Sequence, residues 1–517
     1  MKYGNMEQVT FNHSCLSNHV KKMDEKTRFE KQDILQEVKY VPTEFKNNQK
    51  FKAESQNNKK DDTIFLYVSV IVAQMLVAVA GANLVWTSPA LIKLYSNDTQ
   101  INPLRRPIKT VEVSMVAGIP SLLGLAGSFM LPKLSDVIGR KKYLMLIGLG
   151  TLIAGVALAF SMEIIYIIIS KSLLSFFLSG AWTIIPVFVA EICENHNRAK
   201  FGCFLGLFHE IGHCYAYVVG PLFSLKNFTL IITAPALVFL MIFVIVPESP
   251  IYLLSKGKEK KCKEALRKFR NNKSEEELEA DFVQIKETLK GRAETNKGNV
   301  LDLFRKRENR FALLLALLPL LVQSFSGISI LMTYLAPVFN AAGTSISGDI
   351  VAIIISIVKI SSFTFTSFVV ETFGRKRMLL ISATGSGVPL LVLGLYFYLQ
   401  YINSALLDSM QWLPLFALLS STLMFSIGLG PVPFALISEL FQTDLRAASS
   451  AVINTLFNIV MFSLTACFPL ISEAFGIHCC IWLFSSCSFL GAILIYFFLP
   501  ELKGKSFTEI QEMLKMY

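Results

Sequence analysis

Gly139-Arg140-Lys141-Lys142 returns later in the chain as Gly374-Arg375-Lys376-Arg377. Two further pairs repeat in the same order. Glu191 with Arg198 seven residues on returns as Glu439 with Arg446, and Pro247-Glu248 returns as Pro500-Glu501. Each member follows a long apolar run. Charged punctuation that repeats between apolar spans is the pattern of two related membrane halves.

Composition agrees. The chain is 53% hydrophobic and 17% charged, with mean hydropathy +0.51, which excludes an ordinary soluble protein of 517 residues. A helix that crosses the hydrocarbon needs about 20 apolar residues. Twelve such runs are present, near 63–90, 112–132, 143–162, 164–190, 203–224, 229–247, 311–336, 350–371, 378–399, 412–437, 450–473 and 479–499. The expected fold is an all-α membrane protein of twelve transmembrane helices in two six-helix repeats with a cytosolic helical linker. Its parts are a disordered tail at 1–62, halves at 63–247 and 311–499, the linker at 248–310, and a short tail at 500–517.

The net charge of +11 lies in short loops that flank apolar spans, so it reads as membrane topology and not as a nucleic-acid face. Nine cysteines lie scattered without paired spacing, which speaks against a disulfide framework. The first 60 residues are polar and lack an apolar leader core. Positive loops place both termini in the cytosol. The first outer loop, with Lys93, Arg105, Arg106 and Lys109, is the exception. The sequons at Asn97 and Asn227 then face outward as glycosylation candidates, while those at Asn12 and Asn272 face the cytosol. In the linker, Ser274 and Glu277 make a capping box ahead of an apolar stripe of Leu278, Phe282, Ile285 and Leu289. That stripe predicts an amphipathic helix lying against the bundle.

Seven motifs in order carry a family resemblance over nearly all of 63–510. They are Asp136-x-x-Gly139-Arg140-Lys141, Pro186 with Glu191 and Arg198, and Pro247-Glu248-Ser249-Pro250-x-Tyr252-Leu253. Gln323-x-x-Ser326-Gly327-Ile328 and Glu371-x-x-Gly374-Arg375-Lys376 follow. The last are Gly430-Pro431-x-Pro433 with Ser438-Glu439-Leu440-Phe441, and Pro500-Glu501-x-Lys503-Gly504-Lys505. Together they resemble the sugar porter branch of the major facilitator superfamily. Trp86-Thr87-Ser88-Pro89-Ala90-Leu91 looks like the insect facilitated trehalose transporters.

The resemblance implies facilitated movement of a sugar, trehalose or a hexose, across the plasma membrane by alternating access, without cofactor, metal or covalent chemistry. A small solute and the lipid bilayer are then the partners, with no nucleic acid and no obligate protein partner. It also implies gating ion pairs at the inner helix ends. Arg140, Glu191 and Arg198 would tie spans two, four and five together, with Glu248 nearby, and Arg375, Glu439, Arg446 and Glu501 would repeat the set.

Sugar recognition needs neutral donors and acceptors around a cavity, with aromatic faces for the ring. The matching candidates are Gln323, Ser326, Ser329, Tyr334, Phe434 and Asn458. Several family positions depart here. A second Gln is Ser324, an Asn is Ser329, a fifth-span Gln is Gly206, and a tenth-span Trp is Phe434. An eleventh-span Asn-Trp pair is blurred to Phe457-Asn458, and a fourth-span Arg is Lys171. Lys359 stands where relatives have a neutral Asn.

Three other readings stay open. Lys171 and Lys359 would suit a carrier of organic anions, and a proton-coupled carrier is a variant of the same fold. Proton-linked relatives carry an Asp on the first span, where this chain has only Gln74 and Asn83 as long polar groups. A transport-dead sensor would need a longer tail after Gly504. His209-Glu210-Ile211-Gly212-His213 spells the HExxH of zinc proteases, but the other spans offer no mid-membrane acid as a third ligand.

Lys359 needs a partner or cavity water, because a lone ammonium in mid-membrane is costly. Counting from the cytosolic markers Gly202 and Gly374 puts Glu210 at ~12 Å depth and Lys359 at ~22 Å. A direct ion pair, a bridge through His213 or water, and a free contact to substrate all remain open on that count.

Overall fold

A computed structural model describes residues 62–514, except 195, 295–299, 345, 442–444, 502, 504–508 and 510–511. Residues 1–61 of the expected tail, with the sequon at Asn12, lie outside the described residues. So does the side chain of Arg446.

Each Gly-Arg-Lys stretch is a hinge between two helices. Gly139 at φ 101° ends α2 (Thr110–Ile138) and starts α3 (Arg140–Ala159). Gly374 at φ 87° does the same for α8 (Gly348–Phe373) and α9 (Arg375–Tyr401). Only glycine takes that backbone without strain. The second half of the repeat explains the position. A Cβ on Gly139 would lie 2.2 Å from Glu248 Oε2, and one on Gly374 would lie 2.9 Å from Glu501 Oε2. Each acid comes so close because it caps the next helix. Lys141 N donates to Glu248 Oε1 at 2.9 Å, and Arg375 N donates to Glu501 Oε1 at 3.1 Å. Carboxylates favour the unpaired amides and positive end of a helix start.

The remaining long helices are α1 (Ile64–Val85), α4 (Ile164–Ile192), α5 (Phe204–Leu222), α6 (Leu225–Phe243), α7 (Arg307–Phe325), α10 (Leu413–Ile427), α11 (Arg446–Phe475) and α12 (Ile477–Phe498). Among the described residues, ten helices are long and apolar enough to cross a membrane. The other two places are taken by α5, whose His209, Glu210 and His213 dilute its hydropathy, and by α8, 26 residues long. The protein is an all-α, twelve-helix, multi-pass membrane protein. On α4, Ile165, Ile169 and Leu173 are exposed on one stripe while Ile167, Leu174 and Leu178 are buried, as a lipid-facing helix requires.

Three expected single spans are interrupted. Past Val85, α1 continues as Thr87–Leu94 after Trp86. Past Phe325, α7 turns at Gly327, φ 71°, into Ile328–Thr333 and then Leu335–Ala341. There the Phe484 ring fills the place of a Cβ. α10 stops at Gly428-Leu429-Gly430-Pro431 and resumes as Val432–Leu440. Proline and glycine break the ladder, and side chains satisfy the freed groups. Ser382 Oγ accepts from Leu429 N at 2.9 Å, and Gln323 Nε2 donates to Gly430 O at 3.1 Å.

Close packing relies on small residues, as expected where lipid gives no hydrophobic drive between helices. α1 and α5 cross with backbones nearly touching. A Cβ on Gly81 would lie 2.1 Å from His209 O, and one on Gly212 would lie 2.0 Å from Ala78 O. The two halves meet where α5 packs on α8 and α2 packs on α11.

The linker forms Pro250–Ser255, Glu259–Phe269, Glu275–Glu294 and Val300–Arg305. Its capping box is in place, with Ser274 N donating to Glu277 Oε2 at 2.8 Å and Glu277 N to Ser274 Oγ at 3.3 Å. Leu278 and Phe282 are buried. Lys273 bridges Glu194 and Asp281, at 2.9 Å each, which fastens the linker to the end of α4. Thr63 Oγ1 donates to Phe269 O at 2.7 Å. Asp62, which carries no role in the sequence reading, receives Asn197 Nδ2 at 2.6 Å and Lys200 Nζ at 3.0 Å. Burial pushes its carboxyl up, but these two donors win and hold it below its ordinary range.

Candidate functional site

Glu210 and Lys359 form a direct ion pair across the two halves. Lys359 Nζ lies 3.0 Å from Glu210 Oε2, with both side chains largely buried. His213 Nδ1 lies 2.9 Å from the same oxygen, and His209 Nδ1 lies 3.8 Å from Oε1.

The expected depth gap was an error of register. Gly206 faces Phe363, whose ring would touch a Cβ there at 2.2 Å, and Glu210 faces Lys359. Four residues up α5 match four residues down α8, the register of an antiparallel pair. On it, Gly202 lies level with residue 367 and not with Gly374. The seven residues between are worth ~10 Å of helix, which is the whole of the apparent gap.

Lys171 also turns inward. It is 3% exposed, which rules out reaching to the lipid surface. Its ammonium donates to Thr87 Oγ1 and to Val116 O, and it sits 5.0 Å over the Trp86 ring. Among the described residues it pairs with no carboxylate.

The neutral candidates divide into two groups. Gln323 is buried, and its Oε1 has no partner among the described residues. Ser326 Oγ donates to Gln323 O at 2.7 Å, while Ser329 is half-buried. Tyr334 is a packing residue, with its hydroxyl donated to Thr465 O at 2.8 Å and its ring stacked on Phe468. Asn458 Nδ2 turns back to Asn454 O at 2.7 Å, and Phe434 meets Phe457 edge-on at 6.0 Å. Gln74 Oε1 is a further buried acceptor without a partner among the described residues. Lys359 is committed to Glu210.

The end charges form two sets that resemble each other. Arg140 Nε meets Glu191 Oε2 at 3.2 Å, and Ser249 Oγ donates to the same oxygen. Arg375 meets Glu439 Oε1 through Nε at 3.1 Å and Nη2 at 2.9 Å. Two expectations need correction. Arg140 and Arg375 open α3 and α9, so the clamps tie α3 to α4 and α9 to the Val432–Leu440 helix. Arg198 is exposed and makes no ion pair with a described residue.

At the opposite end, two hydrogen bonds join the halves. Tyr217 hydroxyl donates to Met332 O at 2.6 Å, and Ala336 N donates to Ser88 Oγ at 2.9 Å. Sequence reasoning missed both. Their partners are backbone atoms freed where α7 breaks, and no residue pattern marks those.

His209, Glu210 and His213 offer ligand atoms within 4.8 Å of one another. A metal ion there would face the Lys359 ammonium across the same carboxylate, and His213 already uses one nitrogen on Glu210. The HExxH sequence is therefore an ion-pair cluster between halves and not a zinc-protease centre.

A family model described as sugar (and other) transporter matches residues 38–514. The chain belongs to the sugar (and other) transporter family. The facilitated trehalose transporter of Polypedilum vanderplanki is 28% identical over 455 residues, which is 87% of this chain and 88% of that one. That of Bombyx mori is 27% identical, covering 87% of each. The xylose transporter of E. coli in an inward-open conformation shares the fold with TM-score 0.71, at 19% identity, over 87% of this chain and 99% of that one. In each half the clamp and the helix cap gather at one end, beside the Gly-Arg-Lys turn.

Proposed function

We propose that this transporter carries an uncharged, hydroxyl-rich solute, a sugar such as trehalose or a hexose, across the plasma membrane by facilitated diffusion. Both termini and the linker face the cytosol. The halves alternate access around a central site to which Gln323, Ser326 and Ser329 contribute. The Arg140–Glu191 and Arg375–Glu439 clamps steady the inner gate.

One observation carries the reading. The Lys359 charge is balanced by Glu210, and Lys171, which meets no described carboxylate, is buried with its ammonium on Thr87 and Val116, while the neutral acceptors Gln323 Oε1 and Gln74 Oε1 have no partner among the described residues. An organic-anion carrier needs a free cation in its site. A sugar needs acceptors for its hydroxyls. The trehalose transporters among the relatives support the same substrate class.

Uptake of labelled trehalose, glucose and a set of organic anions into vesicles, with and without a pH gradient, tests it. Saturable sugar uptake that ignores the gradient is expected. Anion uptake, or sugar uptake driven by the gradient, would overturn the reading.

The orientation has its own test. Asn97 and Thr99 are exposed in the loop after Thr87–Leu94. Thr229 of the second sequon is fully buried, and its hydroxyl takes the Trp86 indole N–H at 2.9 Å. Glycan is expected on Asn97 alone. Endoglycosidase should shift the wild type and Asn227→Gln on a gel but leave Asn97→Gln unmoved. A shift lost only in Asn227→Gln would contradict this.

A further inference from the structure

Glu210, His213 and Tyr217 lie on one face of α5 at spacings of three and four. Glu210 reaches Lys359 on α8, and Tyr217 reaches Met332 past the break in α7. His213 therefore sits where α5 meets both segments of the other half. It is 3% exposed, and its Nε2 has no hydrogen-bond partner among the described residues.

The state of that nitrogen follows from its neighbours. A carboxylate paired with an ammonium can only accept hydrogen bonds. The 2.9 Å contact from His213 Nδ1 to Glu210 Oε2 thus requires the proton on Nδ1. In a neutral ring this leaves Nε2 as an acceptor. Buried acceptors are rarely left unpaired, so this nitrogen is open to a donor other than the described protein groups.

We propose that His213 Nε2 accepts one hydroxyl of the transported solute, with Glu210 and Lys359 as positioning residues that hold the ring in the accepting tautomer. This rests on the sugar reading above. It assigns the charged residues of this span a part in recognising a neutral solute. Lys359 orders Glu210, Glu210 orients His213, and only His213 touches the solute. A histidine whose far nitrogen is fixed by a carboxylate is the same device that orients ring nitrogens at metal and catalytic sites.

The test uses the full-length transporter in vesicles and a panel of monodeoxy analogues of the sugar it carries. His213→Asn keeps an N–H near Glu210 and deletes the distal acceptor. It is expected to raise KM for the parent sugar about tenfold. One monodeoxy analogue, lacking the hydroxyl that His213 receives, should be carried equally by wild type and variant. His213→Gln places an amide oxygen near the Nε2 position and should restore most of the discrimination. Glu210→Gln, which lets the ring adopt either tautomer, should weaken discrimination against that same analogue. Because the readout is a ratio between analogues, reduced expression does not mimic it.

If every analogue loses affinity in parallel, or none does, His213 serves structure or binds water, and the proposal falls while sugar transport stands. If the wild type carries no sugar, the transport reading falls and takes this inference with it.

Discussion

Gly212→Val is expected to remove most of the folded transporter from the membrane. The crossing of α1 and α5 is close because Gly81 and Gly212 each face a carbonyl of the other helix, with a Cβ at 212 falling 2.0 Å from Ala78 O. No side-chain rotation relieves a clash with backbone, so the helices must part. Parting loosens the packing of Val77, Ala82 and Ala216, all fully buried. Overpacking of this kind reaches ~3 kcal/mol, more than a hundredfold in the folded ratio. Gly202→Ala is the matched control, since nothing lies within 4 Å of a Cβ there. Size-exclusion profiles of fluorescent fusions would show the monodisperse peak lost in the first and kept in the second. Equal peaks would mean that the crossing tolerates separation.

Lys359→Met should be nearly as damaging, and a second substitution should rescue it. Removing the ammonium leaves the Glu210 carboxylate buried with His213 as its close partner. Breaking a buried pair from one side costs ~3–5 kcal/mol, whereas replacing both charges is often neutral. Lys359→Met with Glu210→Gln should therefore melt close to wild type in detergent, while each single variant melts well below it. Losses that simply add in the double variant would show that the two side chains do not interact, and the register of α5 on α8 would need revision.

The motifs at the helix ends were legible because they answer local needs. At two of its reversals the chain turns on a glycine at positive φ beside a basic run, and an acid from 107 or 126 residues away caps the next helix. Gly139 with Glu248 and Gly374 with Glu501 are those two places. The apolar runs announced the spans for the same reason, since each must hide its own backbone from lipid. Less legible were the breaks in α7 and α10. Gly327 and Pro431 sit at them, but the side chains that satisfy the broken backbone come from other helices, Tyr217 and Ser88 at α7, Gln323 and Ser382 at α10.

The sequence by itself determined the twelve-span, duplicated architecture and its glycine turns with their basic runs, because hydropathy and positive φ act over a few neighbouring residues, whereas the acids that cap α3 and α9 arrive from 107 and 126 residues away. Whether Lys359 met Glu210, water or substrate was decided only in the tertiary structure. That outcome depends on the depth at which α5 rests against α8, and on which glycines let the helices approach. Gly206 against Phe363 sets the level. An ion pair needs its partners within ~4 Å, while a register slip of one helical turn moves them 5.4 Å apart. No count along a single helix carries that precision.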